Sequence, residues 1–143
     1  MLRYDSRYGL MKGERNMFQF HMNTDGFQTK TAFGDLQISS QNEHGYRPNE
    51  LFVASIVGCS GLTLQNILKK MRISFTDIHV TTDIERNPDK ANRLEKIHLD
   101  FTVISTNATE EKLGKALELT IKNCAMIQSV NNNIDITETI KKE

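Results

Sequence analysis

The sequence predicts an α+β domain with the element order β-β-β-α-β-β-α-β around one long, buried central helix. Three observations carry that reading. Apolar residues alternate along 17–39, 75–85 and 94–106, the period of a strand with one covered face. A run over 48–71 is apolar around its whole circumference in its first half, the mark of a helix buried on all sides. Between 113 and 127 the apolar residues recur at spacings of three and four, the stripe of an amphipathic helix.

The elements follow in chain order. Phe18, Phe20 and Met22, then Phe27 and Phe33, then Leu36 and Ile38 alternate, punctuated by Asn23-Thr24-Asp25-Gly26 and Gly34-Asp35. They predict a meander of two or three short antiparallel strands within an N-terminal region 1–46. Pro48 suits the first turn of a helix, and Glu50 places negative charge where the helix dipole favours it. The helix is expected over about 48–71, closing on Lys69, Lys70 and Arg72. A C-terminal β-β-α-β region then covers 75–140. Ile78, Val80, Thr82 and Ile84 line one side of its first strand, and Asn87-Pro88-Asp89 breaks it. Ile97, Leu99, Phe101 and Val103 line the second. Asn107 or Thr109 caps the late helix, whose apolar stripe of Leu113, Ala116, Leu117, Thr120, Ile121, Cys124 and Ile127 runs to Asn131-Asn132-Asn133. Ile134, Ile136 and Ile140 point one way in a last strand. Glu138 interrupts that side, which predicts an exposed or edge position for the strand's far end. No repeat or linker divides the 143 residues, so a single domain is expected.

Composition excludes several functions. Eighteen Lys+Arg balance eighteen Asp+Glu, and the pI is near 6.9. That balance argues against a nucleic-acid partner, which calls for a basic excess, and gives no support to a membrane surface. The start of the chain carries scattered charges and no apolar h-region. The apolar stretch from Leu51 to Leu64 is too short to span a bilayer. The cytoplasm is therefore the expected compartment, where thiols stay reduced unless chemistry oxidises them.

The chemistry is expected at the cysteines. There are two, Cys59 and Cys124, with no Cys-x-x-Cys motif, too few for a disulfide scaffold. Cys59 stands in Gly58-Cys59-Ser60-Gly61, and glycine inside a helix costs about 1 kcal/mol relative to alanine. Two readings stand. In one, the glycines serve helix packing and Cys59 is a small core hydrophobe. In the other, Cys59 and Cys124, each on an apolar helix face, meet where the helices cross, and in a reducing compartment such a pair is catalytic or redox-sensing. An attacking thiol must be a thiolate, and Cys59 lies too far into its helix for the dipole to help. It needs a cation, an arginine held by a carboxylate. Glu50 is the candidate holder, although nine residues at about 100° each set it on the opposite side of the helix from Cys59. Arg47 and Arg15 are the candidate cations. His21, His44, His79 and His98 lack ligand spacing, so no metal site is expected, although His79 and His98 can share a strand face. Ser60 lacks the Gly-x-Ser-x-Gly setting of a hydrolase, and no glycine-rich phosphate cradle occurs.

Pro48-Asn49-Glu50-Leu51, then Gly58-Cys59-Ser60, then Cys124 on a second helix together resemble the OsmC/Ohr family, and the resemblance covers about 17–143. It implies an intertwined homodimer, each subunit supplying its long helix, with two sites at the interface. It also implies a thiol-dependent peroxidase for organic hydroperoxides in oxidative stress defence. On that resemblance Cys59 is the peroxidatic cysteine, Cys124 the resolving one, and Glu50 the carboxylate that positions the activating arginine. No cofactor is implied beyond an external dithiol reductant. No arginine stands at the third strand, Leu36-Gln37-Ile38-Ser39-Ser40, and Gly13-Glu14-Arg15 matches loosely, so the chain is most similar to the general OsmC-like branch. An apolar pocket including Phe52 and Leu62 would favour alkyl or lipid hydroperoxides. The alternative is a non-catalytic dimer of the same fold that binds a hydrophobic small molecule and keeps inert buried thiols.

Overall fold

The computed structural model of the protein describes residues 4–5, 10–11 and 18–143. It divides into two compact units, residues 1–51 and 52–143. Arg15 and Met17 lie outside the described residues.

In the first unit, β1 (Tyr4–Asp5) pairs antiparallel with β2 (Leu10–Met11). Neither was expected, since two residues are too short to show alternation. Then β3 (Phe20–Asn23), β4 (Gly26–Lys30) and β5 (Asp35–Ile38) form the expected antiparallel meander. The first turn is built by Asn23, whose Oδ1 accepts from the backbone N–H groups of Asp25 and Gly26 at 3.1 and 2.9 Å. Gly26 sits at φ +150, and an added Cβ there would lie 2.1 Å from the Ile38 carbonyl oxygen. Only glycine fits that approach. Register sets Phe20 against Thr29 and Met22 against Phe27, and Phe27 against Ile38. One face of this sheet is therefore apolar, yet Phe20, Met22 and Phe27 are each at least half exposed.

Helix α1 (Pro48–Lys70) begins and ends almost where the sequence predicts. Glu50 reaches back so that its Oε2 accepts from the Arg47 backbone N–H at 3.3 Å, the acidic half of a capping box. At the far end Arg72 takes φ 58, and the Ile73 N–H donates to the Leu68 carbonyl at 3.0 Å. That six-to-one bond closes the helix as a Schellman turn, with arginine in the seat usually held by glycine.

The second unit is a three-stranded sheet of β6 (Asp77–Asn87), β7 (Arg93–Ile104) and β8 (Asp135–Lys142), in the order β6-β7-β8. β6 and β7 form an antiparallel hairpin whose loop places Ala91 and Asn92 at positive φ. β8 lies parallel to β7 at the sheet edge, so the chain must cross over, and helices α2 (Glu110–Asn123) and α3 (Ala125–Val130) make the crossing. Thr109 is the cap, its side chain accepting from the Lys112 N–H. Asn107 instead accepts from the Ser74 N–H at 2.9 Å.

The core joins Ile97, Leu99, Phe101 and Val103 of β7, all fully buried, to Ile56, Leu64 and Leu68 of α1 and to Leu113 and Ala116 of α2. Three expectations change. First, α1 is not buried all round: its buried residues are Ile56, Ser60, Leu64 and Leu68, one stripe at i+4 spacing, while Leu62 is 64% exposed. Apolar composition states what prefers burial, and a single chain covers only one side. By length and composition the full helix could also cross a membrane, longer than the 51–64 stretch counted from sequence, but this stripe packs in a protein core. Second, the late helix is broken at Cys124, which adopts φ −79, ψ 105 between α2 and α3. The freed carbonyls find side chains: Asn123 Nδ2 donates to Leu119 at 2.7 Å and Gln128 Nε2 to Ile121 at 2.9 Å. Third, Glu138 turns toward the core although its strand is at the edge.

Candidate active site

Cys59 lies on α1, half-buried, one position before the buried stripe residue Ser60. Cys124 sits at the α2–α3 junction and is fully buried. The two side chains lie near each other: Cys59 is close enough to act on the Cys124 thiol, and both pack in the same core cluster. Burial pushes the Cys124 thiol up from an ordinary 9.0 to about 11, and the adjacent Cys59 adds to the rise. The backbone N–H groups of Ile127 and Met126, at the start of α3, oppose it without cancelling it. At neutral pH Cys124 is therefore a thiol carrying its proton. Both cysteines are free.

The break in the late helix is what places Cys124. A helix end directs a side chain that mid-helix geometry would hold on the stripe, and the extended backbone at 124 lets Ile127 enter the core as well. Gly58 and Gly61 do not assist this meeting. An added Cβ at either would touch nothing within 4 Å, so among the described residues no neighbour uses the close approach they allow.

The remaining expected residues are dispersed. Glu50 is in the first turn of α1, exposed, and its contact with Arg47 is through the backbone N–H of that residue. Among the described residues no ion pair joins the Arg47 guanidinium to a carboxylate. Phe52 stands seven residues before Cys59, on the same flank of α1 at about 100° per residue, and packs against the core. Leu62 lines a groove of about 380 Å³ with Val57, Gly58, Gly61, Phe75 and Ile78, on the flank of α1 that faces β6. Phe52 is not among the residues that line this groove. Among the described residues no cluster of His, Cys, Asp and Glu suits a metal ion. His79 and His98 do share the outer sheet face, where the His98 ring nitrogens lie 2.7 and 3.1 Å from the Thr137 and Thr139 hydroxyls.

Two residues escaped sequence reasoning. Ser60, fully buried, donates its Oγ–H to Glu138 Oε1 at 2.6 Å. Glu138 Oε2 is buried with no hydrogen-bond partner. Burial pushes the Glu138 carboxyl above the ordinary carboxylate range, and the Ser60 bond only partly offsets it. Both signals were present in the sequence: a serine at i+4 from Ile56 in the helix stripe, and a glutamate within the Ile134, Ile136, Ile140 series.

A sequence model described as OsmC-like protein matches residues 40–139 of the chain. A hypothetical protein from Aquifex aeolicus VF5 is 25% identical over 91% of this chain and 98% of its own, with a TM-score of 0.77. An OsmC like protein from Mycoplasma pneumoniae is 12% identical over 92% of this chain and 99% of its own, with a TM-score of 0.78. The organic hydroperoxide resistance protein OhrB of Bacillus subtilis is 16% identical over 87% of this chain and 96% of its own, with a TM-score of 0.60. At the two lower identities the likeness is one of fold. No curated protein matches the sequence at a significant level. With the family's sequence pattern spanning most of the chain and its fold shared with these structures, the chain belongs to the OsmC-like protein family.

Proposed function

We propose that the protein is a thiol-dependent peroxidase that reduces organic hydroperoxides through Cys59 and Cys124. The observation that carries the reading is the meeting of the two thiols, one half-buried on α1 and one fully buried at a helix break. The Cys59 thiolate attacks the terminal peroxide oxygen, the O–O bond breaks, and the alkoxide leaves with a proton as the alcohol. Cys59 is then a sulfenic acid. The Cys124 sulfur attacks it, the S–O bond breaks, and the hydroxide departs as water with the proton that Cys124 gives up. An external dithiol, itself oxidised to a disulfide, restores both thiols. The raised pKa of Cys124 fits the second role better than the first, because a nucleophile for peroxide must already be a thiolate.

In this reading Glu50 orients the activating arginine, Arg47 or Arg15, and Phe52 and Leu62 line apolar approaches to the site. The enzyme works in the cytoplasm as a homodimer. The exposed Phe20, Met22 and Phe27 of one sheet face, and the open Gly58–Gly61 flank of α1, are surfaces that a second copy would cover. A second reading, a non-catalytic binder of a hydrophobic small molecule, draws support from the groove beside Leu62.

The test is addition of cumene hydroperoxide to the reduced protein, with free-thiol counting and mass mapping. One Cys59–Cys124 bond per hydroperoxide consumed is expected, and Cys59→Ser abolishes consumption. Unchanged thiols in the wild type, or undiminished consumption by Cys59→Ser, would overturn the reading in favour of the binder.

A further inference from the structure

The core of the second unit contains one carboxyl group that the peroxidase chemistry does not use. Glu138 projects from β8 and binds Ser60 across 78 residues of sequence at 2.6 Å. Its other oxygen is buried and unpartnered. Among the described residues no ion pair joins it to a cation. On β7, Lys96, His98 and Asp100 alternate onto the opposite sheet face, as Asp135 and Lys141 do on β8. The charged residues of α2 are exposed, and α3 has none. The titratable groups on the Glu138 side are the two cysteines, themselves acids, and Lys142, four residues along β8 on the same face, which is exposed and makes no ion pair with Glu138. A lone buried carboxyl without a cation is costly, and an apolar residue of similar size would serve stability better.

What this bond does is local and directional. Ile56, Leu64 and Leu68 hold α1 to the core by apolar contact, which resists separation but has little directionality. A hydrogen bond of 2.6 Å to Ser60 adds direction, restraining both the rotation of α1 and its slide along its axis. Ser60 is the residue next to Cys59. A disulfide demands Cα atoms about 4.4–6.8 Å apart with aligned Cβ vectors, so a small rotation at that turn decides whether the sulfurs can join.

We propose that Glu138 is a positioning residue for the thiol pair, its carboxyl anchoring Ser60 and thereby fixing the turn of α1 that presents Cys59 to Cys124. This rests on the disulfide half of the peroxidase reading but not on any reaction with peroxide. The uncompensated burial is then the cost of alignment, set against stability that a leucine would supply.

The experiment is equilibration of the reduced protein in glutathione redox buffer. Oxidised glutathione takes up the two electrons of the Cys59 and Cys124 thiols, giving one intramolecular disulfide and two reduced glutathione molecules. The effective concentration of Cys59 for Cys124 is read from the oxidised fraction, with thermal unfolding recorded in parallel. Glu138→Leu and Ser60→Ala are expected to lower that effective concentration about tenfold. Glu138→Gln, which keeps an acceptor for Ser60, stays within about twofold of wild type. Glu138→Leu is expected to hold or raise the melting temperature, an outcome that a merely structural role would not produce. Wild-type closure in both Glu138→Leu and Ser60→Ala overturns the proposal. So does a loss of closure in Glu138→Leu that only tracks a loss of folding while Ser60→Ala closes normally. If the wild type itself forms no Cys59–Cys124 bond in this buffer, the disulfide reading and the proposal fall together. If it closes there but ignores hydroperoxide, the peroxidase reading alone fails.

Discussion

Two sheets in this protein carry the same alternating apolar pattern and meet opposite fates. In β7 every second residue, from Ile97 to Val103, is fully buried beneath helices of its own unit. In β3 and β4 the equivalent residues Phe20, Met22 and Phe27 share one sheet face and stay half exposed or more. Alternation fixes which side of a strand is apolar, because successive side chains point to opposite faces. It does not say what will cover that side. The difference also tracks the chemistry: Cys59, Cys124, Ser60 and Glu138 gather in the unit with the closed core, while Arg47 and Glu50 belong to the other.

The contrast can be broken most directly at two phenylalanines. Phe101→Ala is expected to cost about 3–5 kcal/mol in urea unfolding, because it empties a fully buried site. Phe27→Ala, at a residue 51% exposed, should cost less than about 1 kcal/mol when unfolding is measured at high dilution. Equal costs would mean that the N-terminal face is covered after all. Self-association sharpens the point. Under the homodimer reading, the double change Phe20→Asp and Phe27→Asp is expected to weaken association at least about tenfold in sedimentation experiments, since it puts two charges into a face that a second copy would bury. Unchanged association would assign that face to another partner.

The part of the N-terminal unit in the reaction rests on its arginines. Under the peroxidase reading, Arg47→Ala or Arg15→Ala lowers the second-order rate of hydroperoxide consumption about tenfold or more, by withdrawing the cation that favours the Cys59 thiolate. If neither change slows the reaction, activation resides wholly in the second unit. The smallest effect is expected at alkaline pH. Cys124 has its folded pKa raised from 9.0 to about 11, so the fold favours its neutral form. That contribution is complete below pH 9 and is lost as pH climbs from 9 to about 11. Denaturation midpoints should fall across that window, and Cys124→Ala should flatten the fall.

Much of the candidate site was legible because its signals are local. Glycines flanking a cysteine, a glutamate after proline at a helix start, and a second cysteine in an apolar stripe are all visible within a few residues. The corrections concern contacts between distant residues. The break at Cys124 carries no glycine or proline, and on either side of it Cys124 and Ile127 both enter a core shared with β7 and α1. Glu138 reads as an edge signal until Ser60, 78 residues earlier, is brought against it. Phe52 and Leu62 read alike in an all-round apolar helix, and the neighbours of α1 separate them: Phe52 packs on the core and Leu62 lines the groove beside β6.

The amino-acid order alone determined most elements and their faces: the bounds of α1, the hairpin of β6 and β7, and an apolar side for each strand from β3 to β8. Helix periodicity, caps and turns depend on neighbours a few residues away, so the sequence expresses them directly. Tertiary structure decided which apolar faces are covered, where the late helix bends, and that one half-buried acid bonds the serine beside Cys59. Those outcomes depend on groups brought together across the chain, where burial and directional hydrogen bonds compete and no local pattern records the winner.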